Sequence, residues 1–329
     1  MAKLIFFGTP DYVLPVLEAL SKKHTISAVV TQPPKPFGRK QILTPPSVSL
    51  WARKQKIRVF DETPKKILSN LKTIDAQAGV LASFGRILPK ELLELFPSGI
   101  LNIHPSLLPQ WRGASPIEAQ VITGTHESGV TFIKLDEEMD HGPIVGQWQI
   151  HNFHGFLSKE EARTSMFAWA AKKVNAVVDV FIKDPQLQEQ NHKEATYTTL
   201  LNKDHGFISS AFLYQAMGGD LQKKDSWKID FIQDRNRKPY LFTPSTYLIK
   251  RFVDVMNPWP GAWTHITVDS VQKRLKILKV ALEEQTVQHN RQGWQINENK
   301  KLVIQEVQLE GKNPVSWKQF KEAYPETTF

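Results

Sequence analysis

Apolar stretches alternate with helical patterns along the first 184 residues of the chain. Seven short segments rich in apolar residues predict strands, and the continuous run at 3–8 is typical of a strand buried on both faces. They lie at 3–8, 25–32, 57–60, 78–85, 99–104, 128–136 and 142–150. Between them, apolar residues at helical spacing predict helices over 13–23, 48–56, 64–72, 89–96 and 159–184. The proline-rich stretch 33–47 is predicted to be a loop.

This order of elements predicts an α/β domain in which a mostly parallel sheet carries helices on both faces. Such folds bind ligands at the carboxyl ends of their strands. Near residue 185 the chain becomes polar and loses the helical stripe, which indicates a linker. Later runs at 274–285, 293–299 and 301–311 alternate in part and are typical of a small antiparallel barrel. We predict domains over 1–188 and 205–329, joined by a linker over 189–204.

Length and composition agree with a two-domain globular protein. A chain of 329 residues exceeds what one hydrophobic core usually supports. No stretch approaches the roughly 18 consecutive apolar residues of a membrane span, and the apolar run before Gly8 is too short for a signal peptide. The chain has no cysteine, and its histidines show no metal-binding spacing. We expect a cytoplasmic protein without a metal.

The positive charge is concentrated in one part of the chain. The net charge is +9, and residues 31–60 contain seven lysines and arginines without a single acid. This stretch favours a polyanionic partner, because each cation can replace a counterion condensed on a phosphate chain. A solvated basic face explains the same composition equally well.

Two polar residues end the predicted strand 99–104. Asn102 and His104 are one residue apart, so strand alternation places both side chains on the same face. Pro105 cannot donate to a strand partner and favours extended geometry at His104. Either residue alone would be an ordinary turn or core residue. A same-face pair at the carboxyl end of a strand favours a functional role.

An acidic segment offers a partner for this pair. Its four acids are Asp136, Glu137, Glu138 and Asp140. Acid-rich loops are usually solvated turns, and spacing does not select one of the four. Gly142 and Pro143 predict a tight turn after Asp140 that would fix the direction of its side chain.

Six segments of the chain resemble successive motifs of the methionyl-tRNA formyltransferase family. They are FFGTPDYVLPVLEAL, TQPPKPFGRKQILTPPSV, SFGRILP, LNIHPSLLPQWRGASPI, MDHGPI and NPWPGAWT, between residues 6 and 264. The pattern NxHxSLLPxxRG is specific to the wider superfamily of folate-dependent formyltransferases. The TQPxxPxGR loop and NPWPGAWT narrow the resemblance to the tRNA enzymes.

The resemblance implies a Rossmann-like catalytic domain over 1–188 and an OB-like, tRNA-binding domain over 205–329. It implies transfer of a formyl group from 10-formyltetrahydrofolate to the α-amine of methionine on initiator tRNA, by a monomer that uses no metal. Asn102, His104 and Asp140 match the catalytic trio of the family. The positions that match its folate-contacting segment are Ser106, Leu107, Leu108 and Pro109. Those that match its basic, tRNA-contacting loop are Arg39 and Lys40.

Formyl transfer suits this trio without a protein nucleophile, because the amine of the substrate attacks. Asn102 can donate an amide N–H to the developing oxyanion, a contribution of typically about 10²–10³ in rate. His104 suits proton transfer or a second hydrogen bond to the oxyanion. Asp140 can stabilise a cationic His104 or relay the proton through water.

The chain departs from the family pattern at three places. The basic loop between Arg39 and the LTPPS segment is one residue shorter than usual. His141 stands beside Asp140 where the family commonly has threonine. The connection between residues 208 and 257 is longer than usual, and its basic and aromatic residues suit either RNA contacts or a packed hairpin. We favour the hairpin, because aspartates dilute the positive charge of the segment.

Three other functions share parts of the pattern. A sugar-nucleotide N-formyltransferase would use the same trio and folate with an amino-sugar acceptor, and a 10-formyltetrahydrofolate hydrolase would use water. A non-catalytic RNA-binding protein would keep only the fold. The basic stretch 31–60 and NPWPGAWT favour the tRNA enzyme over the sugar enzyme, and the intact trio disfavours the non-catalytic protein.

Overall fold

A computed structural model of the protein describes residues 1–38, 41–151, 158–218, 226–283, 289–290, 293–294 and 300–327. The chain forms two compact units. The first contains residues 1–117, 126–153 and 160–197, and the second contains 118–125, 154–159 and 198–329. Two short segments from the first half of the chain therefore belong to the second unit.

The elements up to residue 183 follow the predicted alternation of strands and helices. The strands are β1 (Lys3–Gly8), β2 (Thr25–Val30), β3 (Lys35–Phe37), β4 (Ile42–Thr44), β5 (Arg58–Phe60), β6 (Ala78–Ala82), β7 (Ile100–His104), β8 (Arg112–Gly113), β9 (Ser128–Lys134) and β10 (Ile144–Ile150). The helices are α1 (Leu14–Ser21), α2 (Ser47–Lys54), α3 (Pro64–Leu71), α4 (Lys90–Leu93), α5 (Pro116–Thr123) and α6 (Lys159–Lys183).

The first unit is built on a seven-stranded, mostly parallel sheet with the order β10-β9-β7-β6-β1-β2-β5. β1 pairs in parallel with β2 and β6, and β6 pairs in parallel with β7. β9 runs antiparallel to β7, and β10 antiparallel to β9. β7 is buried along its whole length, which explains its nearly continuous apolar sequence. This sheet confirms the predicted Rossmann-like α/β fold.

This part of the chain contains elements that were not predicted, namely the short strand β8, a hairpin and a helix. The predicted loop 33–47 contains a hairpin, in which β3 and β4 pair between Lys35 and Thr44. The hairpin was missed because β4 is exposed along its length and so lacks the alternation that burial of one face produces. Helix α5 was also missed, because it is buried on nearly all sides and carries no amphipathic stripe.

The second unit carries a smaller antiparallel sheet. The strands after residue 196 are β11 (Tyr197–Thr198), β12 (Trp227–Gln233), β13 (Pro239–Phe242), β14 (Trp263–Val268), β15 (Val271–Leu282), β16 (His289–Asn290), β17 (Gly293–Trp294), β18 (Leu302–Leu309) and β19 (Val315–Ser316). The helices are α7 (Ser210–Gly218), α8 (Thr246–Met256) and α9 (Trp317–Ala323). The sheet has the order β14-β15-β18-β19, with α8 packed against β15 and α9 against β18. It confirms the predicted second domain of antiparallel strands.

The long connection between residues 208 and 257 contains the predicted hairpin. β12 pairs antiparallel with β13, from Trp227 opposite Phe242 to Gln233 opposite Pro239. Trp227, Ile229 and Phe231 are buried at alternate positions of β12. Residues 219–225 of this connection lie outside the described residues.

Candidate active site

Asn102 and His104 lie on β7, between β6 and β9. Their side chains are nearly buried, with whole-residue exposures of 6% and 4%. The pairing of β7 with β9 ends at His104. Beyond Pro105 the Ser106 amide donates to the His104 carbonyl at 3.0 Å, which begins a turn. The pair therefore occupies the carboxyl end of a central strand.

Asp140, in the turn between β9 and β10, joins the pair. Its Oδ1 accepts a hydrogen bond from Asn102 Nδ2 at 3.1 Å, and its Oδ2 lies 3.5 Å from His104 Nδ1. Oδ2 also accepts a hydrogen bond from the Gly113 backbone N–H at 2.8 Å. Asp140 has a φ of 50°, in the left-handed region that few residues with a Cβ adopt. The structure brings the three candidate residues into one cluster.

The other acids of this turn contact different groups. Asp136 Oδ2 lies 2.7 Å from His141 Nδ1, and Glu137 Oε1 lies 2.6 Å from Lys90 Nζ. Glu138 is exposed. Contacts in the folded chain, which the spacing of the acids does not encode, therefore distinguish Asp140 from the other three acids of the turn.

The ring of His104 lies between a carbonyl and a carboxylate. Its Nε2 is 3.0 Å from the carbonyl oxygen of Trp111. Because a carbonyl can only accept, Nε2 carries the proton in this contact, and Nδ1 faces Asp140. A second proton on Nδ1 would make an imidazolium whose charge Asp140 compensates. The arrangement suits a group that takes and releases a proton.

Thr131 of β9 ties the turn at 106–109 to the sheet. Its hydroxyl donates to the Ser106 carbonyl at 2.6 Å and accepts from the Leu108 N–H at 3.1 Å. Gln147 of β10 donates to the Leu108 carbonyl at 2.8 Å and to the Thr131 hydroxyl at 2.9 Å. The polar groups of this turn are therefore held by the strands next to the site.

The four residues of this turn, which match the folate-contacting segment of the family, have different surroundings. Ser106 is fully buried, and its hydroxyl donates to the Gln110 carbonyl at 2.6 Å. Leu108 is buried against Ile133 and Ile144. Leu107 and Pro109 keep part of their surface exposed. An apolar face is thus available at Leu107 and Pro109, whereas Ser106 and Leu108 hold the turn.

The candidate tRNA-contacting residues Arg39 and Lys40 lie outside the described residues. The strands on either side of them form the β3–β4 hairpin. On β4, Ile42 and Leu43 are 62% and 67% exposed. Exposed apolar side chains within a basic segment are typical of a contact surface.

Sequence reasoning missed Gln190, which contacts the backbone of the Asp140 turn. Its Nε2 donates to the carbonyls of Asp140 at 2.9 Å and Gly142 at 2.7 Å. Its Oε1 accepts from Arg112 Nε at 3.1 Å and Nη2 at 2.7 Å. Only Arg112 carried a signal, as the arginine of NxHxSLLPxxRG, because Gln190 lies in the polar stretch predicted as a linker.

Two histidines lie beside the contact between Gln190 and Arg112. The rings of His141 and His192 are stacked, with centroids 4.0 Å apart, and His192 Nδ1 lies 2.8 Å from Arg112 Nη2. Desolvation lowers the pKa of His192, and the neighbouring His141 and Arg112 lower it further. His141, which departs from the family pattern, therefore packs against the segment that contains Gln190.

The described part of the chain contains no group of three or more His, Asp or Glu side chains arranged to hold a metal ion. Among its helices, none combines the length and the apolar character that crossing a membrane requires.

Comparison with known proteins identifies the family. The chain matches the family described as "Formyl transferase" over residues 2–178 and "Formyl transferase, C-terminal domain" over 242–325. A methionyl-tRNA formyltransferase of Buchnera aphidicola is 28% identical over 95% of this chain and 93% of its own length. Another, of Desulforamulus reducens, is 33% identical over 80% of this chain and 74% of its own. The solved structure of the methionyl-tRNA formyltransferase from Clostridium thermocellum shares the fold, with a TM-score of 0.54 and 16% identity over 94% of this chain and 99% of that one. The chain belongs to the methionyl-tRNA formyltransferase family.

Proposed function

We propose that this chain transfers the formyl group of 10-formyltetrahydrofolate to the α-amine of methionine on initiator tRNA, as a monomer in the cytoplasm. The observation that carries the proposal is the contact of Asn102, His104 and Asp140 at the end of β7, in a chain of this family. In this proposal residues 1–188 perform the chemistry and residues 205–329 bind tRNA. The segment 189–204 joins them.

The reaction exchanges one carbon–nitrogen bond for another. A bond forms between the methionine nitrogen and the formyl carbon, and the bond from that carbon to folate N10 breaks. The attacking nitrogen loses a proton and N10 gains one. A free α-amine titrates at roughly 7.7–8.0, and an adjacent ester lowers that value, so much of the amine is neutral near pH 7. The protein must therefore supply a hydrogen-bond donor for the formyl oxygen and a path for the proton.

Asn102 supplies the donor. One N–H of its amide is held by Asp140 at 3.1 Å. For the second N–H, no acceptor lies within hydrogen-bonding distance among the residues that the structure describes. This N–H can donate to the formyl oxygen as negative charge develops there, which is worth about 10²–10³ in rate.

His104 and Asp140 supply the proton path. The nitrogen of His104 that faces Asp140 is the one left without a proton by the Trp111 contact. It receives the proton from the attacking amine, directly or through water, and passes it toward N10. Asp140 stabilises the cationic ring while the proton is held.

The turn at 106–109 supplies a wall for the folate. A flat pterin ring needs an apolar surface with few polar groups, and Leu107 and Pro109 present such a surface. Ser106 and Leu108 contribute by holding the turn, because both are buried. At the β3–β4 hairpin, Arg39 and Lys40 contact the acceptor end of the tRNA together with the exposed Ile42 and Leu43.

A comparison of acceptors tests the reaction. The purified chain is given 10-formyltetrahydrofolate with charged initiator methionyl-tRNA, with an amino-sugar nucleotide, or with water alone. We expect formyl-methionyl-tRNA as the product of the first mixture, and neither a formylated sugar nor rapid release of formate from the others. Formylation of the sugar alone would identify a sugar-nucleotide enzyme, and equal formate release in all three mixtures would identify a hydrolase.

A further inference from the structure

We propose that Gln190 is a positioning residue of the active site, which fixes the place of the Asp140 carboxylate without touching the substrate. The proposal rests on the catalytic role proposed above for Asp140. Gln190 is 5% exposed, and its side chain lies between Arg112 on one side and the Asp140 turn on the other.

Arg112 decides which way the Gln190 amide faces. A guanidinium group only donates, so the two short contacts from Arg112 require the oxygen of the amide on that side. The nitrogen then faces the carbonyls of Asp140 and Gly142, and each of its N–H groups has one acceptor. The reversed amide would place donor against donor and acceptor against acceptor. The position of Gln190 is therefore set by four hydrogen bonds.

These four bonds connect the segment at Arg112 and Gly113 to the turn that contains Asp140. Gly113 follows Arg112 directly, and its N–H donates to Asp140 Oδ2 at 2.8 Å. Asp140 has a φ of 50°, a left-handed value that is unfavourable for a residue with a Cβ, so its backbone needs support from its surroundings. The Gln190 amide contacts the residue before Gly113 and the carbonyl of Asp140 itself. The Gln190 side chain thus contributes to the distance between the carboxylate and His104, together with the direct contacts from Asn102 and Gly113.

Other contacts keep the Gln190 segment beside the turn. The backbones of Gln188 and Ile144 exchange two hydrogen bonds, at 2.7 and 2.9 Å. The rings of His141 and His192 stack on the other side of Gln190. Because neither contact involves the Gln190 side chain, its replacement should displace the turn locally and leave the segment attached.

Kinetics of two variants test the proposal in the full chain. Gln190→Glu keeps the length and the contact with Arg112 but has no N–H for the two carbonyls, and Gln190→Met removes all four bonds. We expect kcat of formyl transfer to fall about 10–10²-fold in both, because small displacements of a catalytic group cost that much. The KM for 10-formyltetrahydrofolate and for methionyl-tRNA should each change by less than about threefold, since no substrate contact is lost. A raised KM with unchanged kcat would overturn the proposal.

Gln188→Met is the matched control. Gln188 lies two residues before Gln190 and is exposed, so its replacement alters the same segment of chain and leaves the backbone bonds to Ile144 in place. Its kcat should stay within about threefold of the parent. If the Met variant of Gln190 does not fold, the Glu variant, which has nearly the same shape, decides.

The same substitution in an Asp140→Asn background separates positioning from a general structural effect. If Gln190 acts through the carboxylate, Gln190→Glu should lower kcat by less than about threefold once the carboxylate is gone. Equal losses in the two backgrounds would overturn the proposal. A normal rate of Asp140→Asn alone would overturn the role of Asp140 and this proposal together. A slow Asp140→Asn beside a fast Gln190→Glu would overturn this proposal only.

Discussion

Asp140 uses its two carboxylate oxygens for different contacts. Oδ1 holds the Asn102 amide, and Oδ2 lies beside the His104 ring while it accepts from Gly113. Removal of the carboxylate therefore disturbs the donor for the formyl oxygen and the proton path at the same time. Removal of His104 ends the proton path alone.

We predict that His104→Ala and Asp140→Ala each lower formyl transfer at least about 10²-fold, the usual contribution of a general acid or base. The measurement is the rate of formyl-methionyl-tRNA formation at saturating folate, together with the urea midpoint of each variant to confirm folding. Glu138→Ala, which changes an exposed acid of the same turn, should stay within about threefold of the parent. Normal rates in both active-site variants would refute the assigned roles.

At the scale of single residues, the sequence pattern predicted Asn102 and His104, two of the four residues of the site. Asn102 and His104 could be paired from strand alternation, because both lie on one strand and the period of two is local. Asp140 and Gln190 could not be found in that way. They reach the site by hydrogen bonds across 38 and 50 residues of chain, and no local period encodes such contacts. The resemblance to the family was needed to select Asp140, and Gln190 had no signal in a polar stretch.

Among the elements, the buried strands were predicted best. β1 and β7 are central strands with residues buried on both faces, so their sequences are nearly continuous apolar runs that stand out from the surrounding helices. The β3–β4 hairpin and helix α5 were missed because their sequences lack such a pattern, each for a different reason. The strand β4 is exposed along its length, whereas α5 is buried nearly all round, and neither produces a periodic difference between its faces.

The β3–β4 hairpin is the element proposed to meet the tRNA. We predict that Arg39→Ala raises the KM for methionyl-tRNA about tenfold and leaves the KM for 10-formyltetrahydrofolate within about twofold, because the loss of a phosphate or base contact affects only the tRNA. Steady-state kinetics with each substrate varied in turn measure both values. Lys72→Ala, an exposed cation outside the stretch 31–60, is the control and should change neither. An equal rise for both substrates would contradict the assignment.

The turn between β9 and β10 requires glycine at position 142. A Cβ on Gly142 would lie 1.9 Å from the Lys134 carbonyl oxygen, which belongs to the end of β9. We predict that Gly142→Ala lowers the free energy of unfolding by about 1–3 kcal/mol, as overpacking against backbone usually does, and that it also slows catalysis by moving Asp140. Urea denaturation and kcat measure the two effects. Gly146→Ala on β10 is the control, because a Cβ there would meet the far end of a side chain, the Trp148 ring 2.6 Å away, rather than backbone. A loss in Gly146→Ala as large as in Gly142→Ala would contradict this explanation.

Over the whole molecule, the buried His24 and the partly buried His205 link stability to pH. Burial is the main cause that lowers the pKa of His24 in the first unit, and the neighbouring Asp179 offsets it only in part. Burial also lowers the pKa of His205 in the second unit. In the unfolded chain both titrate near about 6.5, so below that pH the unfolded state binds more protons than the folded state. The free energy of unfolding should therefore decrease as the pH falls below about 6.5, and these two residues should have little effect above it.

The prediction is that His24→Gln and His205→Gln each reduce the loss of stability between about pH 7.5 and pH 5.5. In the first variant, glutamine can still accept the hydrogen bond that His24 Nδ1 receives from the Ala2 N–H at 3.3 Å, so the fold is kept. Urea denaturation at both pH values gives the loss for each variant and for the parent. Subtraction cancels Asp254, whose burial raises its pKa and acts in the opposite direction at lower pH. His151→Gln, which removes an exposed imidazole, should behave as the parent does. If all variants lost the same free energy on acidification, the acid sensitivity would have to come from groups other than His24 and His205.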